Sequence, residues 1–343
     1  GSEVLARLGM AGGPGAAATP AASFTQTPPF VGRASELAVL ASAFEESRRG
    51  RFVTVVVSGE AGVGKSALVQ AFIDRLGADA STAMVLSGRC YERESVPYKG
   101  FDGVIDDLTR RMRGIDPVEA AFLLGPEALL LARVFPVLRR IPALKMATFP
   151  DQEVASPQEV RTRAFAALRS LLGRLGQRHP LVVCLDDFQW TDADSLALLA
   201  DVAHPPNAPA LLLIATVRAA GDMAPLPLPV EPRHIALSAL SHDDASALVT
   251  LLSVQLSLRG DIDVDTLVRE AAGHPLFLHE LVRHATVMGA PAQTRVRLED
   301  ALRVRIRCLD DPARRLLEIL AIAGARVTQT VAAAAADLSS SDR

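Results

Sequence analysis

Aromatic residues make up only 4% of this 343-residue chain, and cysteine occurs just three times. Neither sign of charge dominates: 36 Lys and Arg stand against 39 Asp and Glu, a formal net charge of −3. No apolar run reaches the roughly 18 residues that a membrane-spanning helix needs, so no membrane partner is expected. Each scarcity excludes a class. Balanced charge provides no general attraction to nucleic acid, so direct nucleic-acid binding by this chain is not expected. Cys90, Cys184 and Cys308 are far apart and lack CxxC or Cys/His spacing, which argues against both a disulfide framework and zinc. Cys184 sits in the apolar run Leu181 to Leu185 and reads as a buried thiol in a reducing compartment. The N-terminus shows no basic segment followed by an apolar one, so a cytoplasmic protein is the default expectation. With few aromatics, the core must be assembled from Ala, Leu and Val.

What is present is a chain long enough for two or more domains. Residues 1–29 are rich in Gly, Ala, Pro and Thr, without periodicity, and read as a flexible linker. A start inside a linker also suggests a piece of a longer protein. From residue 30 the pattern alternates. Ser35, as N-cap, opens a helical spacing through Leu37, Leu40 and Phe44. Apolar runs at 52–57, 83–86, 181–185 and 210–217 read as strands, and 234–237 as a short edge strand. Helices are predicted from Ala67 to Leu76, Tyr98 to Met112, Pro117 to Leu138 with breaks, Ser156 to Leu175, and Asp194 to Val202. The last of these carries a capping-box pattern in Thr191 and Asp194. Continuously apolar strands alternating with helices imply an α/β fold with a parallel sheet covered on both faces. After residue 238 only helical spacing remains, at 243–253, 264–272, 276–288 and 298–323, before the chain fades into Ala and Ser.

Gly59-Glu60-Ala61-Gly62-Val63-Gly64-Lys65-Ser66 meets GxxxxGK[ST] at every fixed position, between a predicted strand and a predicted helix. Glycines let backbone N–H groups curl around a phosphate, and the helix N-terminus adds partial positive charge. Lys65 reaches the β- and γ-phosphates, and the Ser66 hydroxyl ligates Mg²⁺. The alternative, a chance glycine-rich turn, does not account for the flanking strand and helix. Asp186 and Asp187 end the run 181–185, at the sheet edge where parallel sheets bind ligands. Asp186 is assigned to the metal, and Asp187 to orienting or deprotonating the attacking water. The alternative is an Asp-rich turn capping the next helix. Arg218, after Ala215-Thr216-Val217, brings a cation to the same edge, either to sense γ-phosphate charge or as an ordinary surface arginine.

Other constellations fail. Asp261, Asp263 and Asp265 mimic a calcium loop, but Thr266 and Ala272 stand where Gly and Glu are required. His274, His279 and His284 step by five, which spreads them around a helix. The arginines of 295–307 are interleaved with Glu299 and Asp300, as on a solvated face.

Taken together, these motifs resemble the STAND-type ATPases of the AAA+ branch, in particular the bacterial ATPase modules of LuxR-type regulators and kinase-linked signalling proteins. The resemblance rests on Phe30-Val31-Gly32-Arg33 with Glu36-Leu37, the phosphate loop and Leu185-Asp186-Asp187-Phe188-Gln189-Trp190-Thr191-Asp192. Ala215-Thr216-Val217-Arg218 and Gly273-His274-Pro275-Leu276-Phe277-Leu278 complete it. It implies a P-loop nucleotide domain at 30–238, a helical lid at 239–297 and the start of a winged-helix domain at 298–343. Nucleotide would be held by Val31, Arg33, the loop from Gly59 to Ser66 with Ala67, and Pro275 in the lid. Lys65, Asp187 and Arg218 would serve catalysis, and Ser66 and Asp186 the metal. Asp187 stands where many AAA+ relatives carry Glu, a shorter reach that implies slow hydrolysis.

The implied function is an ATP/ADP-operated, Mg²⁺-dependent signalling switch. It would self-associate when ATP-bound and work on upstream or downstream signalling domains of a larger protein. The competing expectations are a steadily hydrolysing AAA+ motor and the ATPase module of a transcription regulator.

Overall fold

The computed structural model describes residues 29–78, 83–91, 97–145, 156–218, 228, 230–258, 263–288, 297–324 and 327–336. The expected linker therefore lies outside the described residues, except for its last residue. The chain divides into two compact units: Gly32–Ala239, and Gly1–Val31 with Leu240–Arg343.

The first unit is an α/β layer structure around a five-stranded sheet. Its strands are β1 (Phe52–Gly59), β2 (Met84–Arg89), β3 (Leu181–Asp186), β4 (Leu211–Arg218) and β5 (Arg233–Leu237). They pair in parallel in the order β2-β3-β4-β1-β5. The three inner strands β3, β4 and β1 are buried almost throughout, as continuous apolar runs covered on both faces require. β5, at the edge, alternates in burial as predicted for a half-covered strand. The register matters for function. It sets Gly59 opposite Arg218 and Arg89 opposite Asp186, bringing four strand ends to one edge of the sheet.

The sheet is accompanied by helices α1 (Ala34–Arg48), α2 (Lys65–Ala78), α3 (Lys99–Met112), α4 (Pro117–Leu124), α5 (Ala128–Val134), α6 (Pro157–Gly176) and α7 (Ala193–Val202); α1 packs on β1 and β4, α3 on β2, and α4 and α5 on α6. The predicted stretch 117–138 breaks at Gly125, whose φ of 73° suits glycine, and again before Pro136. Ser156 caps α6 as its position implies, accepting from the Glu159 N–H. Two other expected caps are corrected. The N-cap of α1 is Arg33, in a left-handed conformation, while the Ser35 hydroxyl turns to Glu36. The N-cap of α7 is Asp192 rather than Thr191. The Thr191 hydroxyl is already committed to the Phe188 carbonyl, closing the short 3-10 turn Phe188–Trp190. The core is aliphatic, with Leu86, Ile105, Leu108, Leu168, Leu171 and Leu213 each at most 1% exposed. Each such side chain contributes about 1.5–3 kcal/mol on burial.

The second unit is helical: α8 (His242–Gln255), α9 (Val264–Glu270), α10 (Pro275–Met288), α11 (Leu298–Arg307), α12 (Asp311–Ala323) and α13 (Gln329–Ala335). Leu248, Val249, Leu252, Leu267, Leu278, Leu281 and Val282 form its core, with Ala301 the buried residue that α11 adds. Asp263 caps α9 through the Thr266 N–H, the ordinary use of an acidic residue before a helix. Asp261 lies outside the described residues. The stretch 298–323, expected as one helix or two, is two helices split by a turn in which Asp310 caps α12. α12 buries none of its residues.

Candidate functional site

The glycine-rich loop joins β1 to α2, so its backbone leaves the sheet edge and enters a helix N-terminus directly. Gly62 and Gly64 adopt φ values of 83° and 104°, a region that L side chains rarely occupy. At Gly59 the constraint is space: a Cβ there would stand 2.8 Å from the Leu237 carbonyl oxygen. A Cβ at Gly64 would meet nothing within 4 Å, so the cradle opens on that side. Val63 anchors the loop in the core at 3% exposed, whereas Glu60, Ala61, Ser66 and Ala67 face outward.

Lys65 is 8% exposed, and its Nζ donates to the carbonyls of Gly59 at 2.8 Å and Glu60 at 2.7 Å. Burial lowers the affinity of its amine for the proton. Nearby Asp187 opposes that effect, and Arg218 reinforces it. Ser66 Oγ stands 3.4 Å from Asp186 Oδ1, and Thr216 Oγ1 donates to the same oxygen at 2.5 Å. The predicted metal pair therefore meets across two elements.

Asp187 is the most constrained member. It is 7% exposed and takes a left-handed φ of 53°, unusual for a residue other than glycine. Its N–H donates to Thr216 Oγ1 at 3.1 Å. Its carboxylate accepts from Arg218 Nε at 3.0 Å and Nη2 at 3.3 Å, from Arg89 Nη2 at 3.1 Å, and from Gln189 Nε2 at 3.2 Å. Burial alone would raise its pKa. The hydrogen bonds from Arg218 and Gln189, joined by the arginine charges, outweigh that and hold it below the usual carboxylate range. Arg218 is thus placed at the strand edge as expected, and what it engages is Asp187.

Arg89 was not among the sequence-derived candidates. It lies three residues beyond the predicted strand 83–86, which the structure extends to Arg89, and its neighbour Asp186 follows only from strand order. The structure gathers Lys65, Ser66, Asp186, Asp187 and Arg218 into one network, with Arg89, Gln189 and Thr216 added. Arg33 belongs to the same unit; its guanidinium bonds Glu36 at 3.2 Å and the Ser238 carbonyl. Val31 and Pro275 fall in the helical unit, where Val31 packs on the helical core and Pro275 opens α10.

Among the described residues no helix is long and apolar enough to cross a membrane. The profile described as AAA ATPase domain matches residues 29–214. An uncharacterized protein of Rhizobium meliloti (strain 1021) is 24% identical over 321 residues, covering 88% of this chain. The chain spans only 30% of that relative's length. Among solved structures, the RuvB Holliday junction branch migration motor of Thermotoga maritima aligns with 91% of this chain and 85% of its own. The identity there is 14% and the TM-score 0.42. A point mutant of the same protein gives 14%, 90%, 83% and 0.41. The profile match covers more than half of the sequence and includes the phosphate loop, both strand-end aspartates and three of the five strands complete. The chain belongs to the AAA ATPase domain family.

Proposed function

We propose that this protein is an ATP/ADP-binding switch of the STAND type, hydrolysing ATP slowly and controlling a larger regulatory protein. The observation that carries the reading is the state of Asp187. A residue that orients or deprotonates water needs a free oxygen, and both carboxylate oxygens of Asp187 are engaged by cations. A γ-phosphate at the strand edge would compete for Arg218, and that competition supplies the differential contact between ATP and ADP that a switch requires. Hydrolysis then waits on release of the clamp, which favours slow turnover over the rapid cycling of a motor.

The cradle fits a phosphate chain: Gly64 is open where a side chain would block it, and Lys65 lies beneath. The oxygen donors Ser66, Asp186 and Thr216 fit Mg²⁺, a hard cation. When bound, Mg²⁺ would neutralise charge on the phosphates. Ser66 would ligate it, with Asp186 steadied by Thr216. Lys65 would exchange its bonds to the Gly59 and Glu60 carbonyls for phosphate oxygens. Val31, Arg33 and, from the helical lid, Pro275 are proposed for the adenosine side. Nucleotide-dependent self-association and work on neighbouring signalling domains complete the proposal.

The test is chromatography of nucleotide released from purified protein, combined with a turnover assay. Retained ADP and turnover below about 1 per minute, at least several hundredfold under brisk enzymes, support the switch. Brisk steady turnover at about 10 per second would replace it with the motor reading.

A further inference from the structure

We propose that Asp192 is a positioning residue that ties the N-terminus of α3 to the β3–α7 connection and so holds Arg89 against Asp187. The inference rests on the clamp described above.

Asp192 caps its own helix in the usual way, Oδ1 accepting from the Ser195 N–H at 2.8 Å. It also does more. The same oxygen accepts from the Tyr98 N–H at 3.2 Å, and Oδ2 accepts from the Gly100 N–H at 3.4 Å and from Ser195 Oγ at 2.6 Å. One carboxylate therefore caps two helices. α3 needs this help: its N-cap is Tyr98, at φ 65°, with no side-chain cap of its own. The close approach is possible because residue 100 is glycine. A Cβ there would stand 3.1 Å from Ser195 Oγ and 3.2 Å from Cys90 Sγ.

The consequence reaches the site along β2. Cys90 follows Arg89 directly; its N–H donates to the Asp186 carbonyl at 2.9 Å, and its Sγ lies 3.1 Å from Thr191 Oγ1. Cys90 is 2% exposed, between Thr191 and Gly100. Asp192 fastens the far end of this seam and the β3 contacts fasten the near end, so Arg89 has little freedom to leave Asp187. The Asp192 carboxyl is also held below its usual range: burial opposes this, but the bonds from Ser195, Gly100 and Tyr98 prevail.

Cys90 supplies a reporter that does not depend on turnover. In a Cys308→Ser background, which removes the exposed thiol, alkylation of Cys90 and Cys184 is followed by peptide mass spectrometry. Asp192→Ser keeps a good N-cap for α7 but cannot reach Tyr98 and Gly100. It is expected to raise the Cys90 labelling rate about tenfold, with Cys184 unchanged, as two orphaned N–H groups loosen the seam locally. Ser195→Ala, which spares the bridge to α3, should change Cys90 labelling less than about twofold. Asp192→Asn, with one acceptor oxygen left, should fall between.

An unchanged Cys90 rate in Asp192→Ser, or a parallel rise at Cys184, overturns the proposal. In the turnover arm, Asp192→Ser should alter kcat with KM for ATP held, and Arg89→Met should abolish that effect; simple additivity overturns action through Arg89. If the wild-type protein shows brisk turnover, the switch reading fails while the labelling arm still decides this one.

Discussion

Each of the two units buries a carboxylate between two arginines, and the contrast between these clamps separates function from architecture. In the α/β unit Asp187 is held by Arg218 and Arg89; in the helical unit Glu280 is held by Arg305 and by Arg283 at 3.1 Å. Both acids are 7% exposed. For both, burial pushes the pKa up and the arginines more than reverse it. What differs is the company. Glu280 joins α10 to α11, and its ion pairs connect two helices. Asp187 stands at the end of a strand, in left-handed backbone, beside a glycine loop and a buried lysine. The same electrostatic device fastens two helices in one unit and, in the function proposed above, gates the site in the other.

The largest effects should come from the sheet itself. Leu212 is fully buried on β4, and Leu212→Ala should cost about 3 kcal/mol in chemical denaturation through the cavity it leaves. The clamps come next. Asp187→Ala and Glu280→Ala should each cost about 1–2 kcal/mol, because the arginines are about one-third exposed and water screens what remains. Only Asp187→Ala should change nucleotide turnover. Equal effects on turnover would dissolve the contrast between gate and fastener.

Acid should then weaken both clamps in order. Each folded pKa lies below its unfolded value, so each contribution is complete above the ordinary value and is lost as pH falls below it. That value is 4.5 for Glu280 and 3.8 for Asp187. Urea midpoints measured from neutral pH into this acid range should fall less steeply for Glu280→Gln and Asp187→Asn than for the wild type. The smallest effect belongs to α12, where Leu317→Ala should shift stability by less than about 1 kcal/mol, since no residue of that helix is fully buried and Leu317 is 39% exposed.

Much of the first unit was readable in the residues. Strands at 181–185 and 210–217 are apolar runs whose one hydroxyl, Thr216, comes near the end, a pattern that a doubly covered sheet accommodates. The phosphate loop is a contiguous motif, so its glycines and Lys65 could be named directly. Arg89 could not, because its relevance depends on β2 lying beside β3 rather than beside β1. Asp192 was legible only as the last residue of the motif 185–192, and its second helix is 92 residues away at Gly100. The caps at Ser35 and Thr191 were misread for one reason: short hydroxyls have several nearby acceptors, and the backbone entering the helix decides among them. The helical unit was legible as helices, but its periodicity does not show which apolar faces find a partner. Leu302, Ile306, Leu317 and Leu320 are spaced like core residues and remain about 40% exposed.

The central claim is that the loop from Gly59 to Ser66 holds a nucleotide whose γ-phosphate is sensed at the Asp187 clamp. Titration calorimetry of ATP and ADP, with Mg²⁺, into the wild-type protein and Lys65→Ala tests it most directly. The account predicts binding of both nucleotides to the wild type and at least about 100-fold weaker ATP binding to Lys65→Ala, the loss of a buried charge-assisted contact. Absence of binding to the wild type, or unchanged affinity in Lys65→Ala, would contradict it.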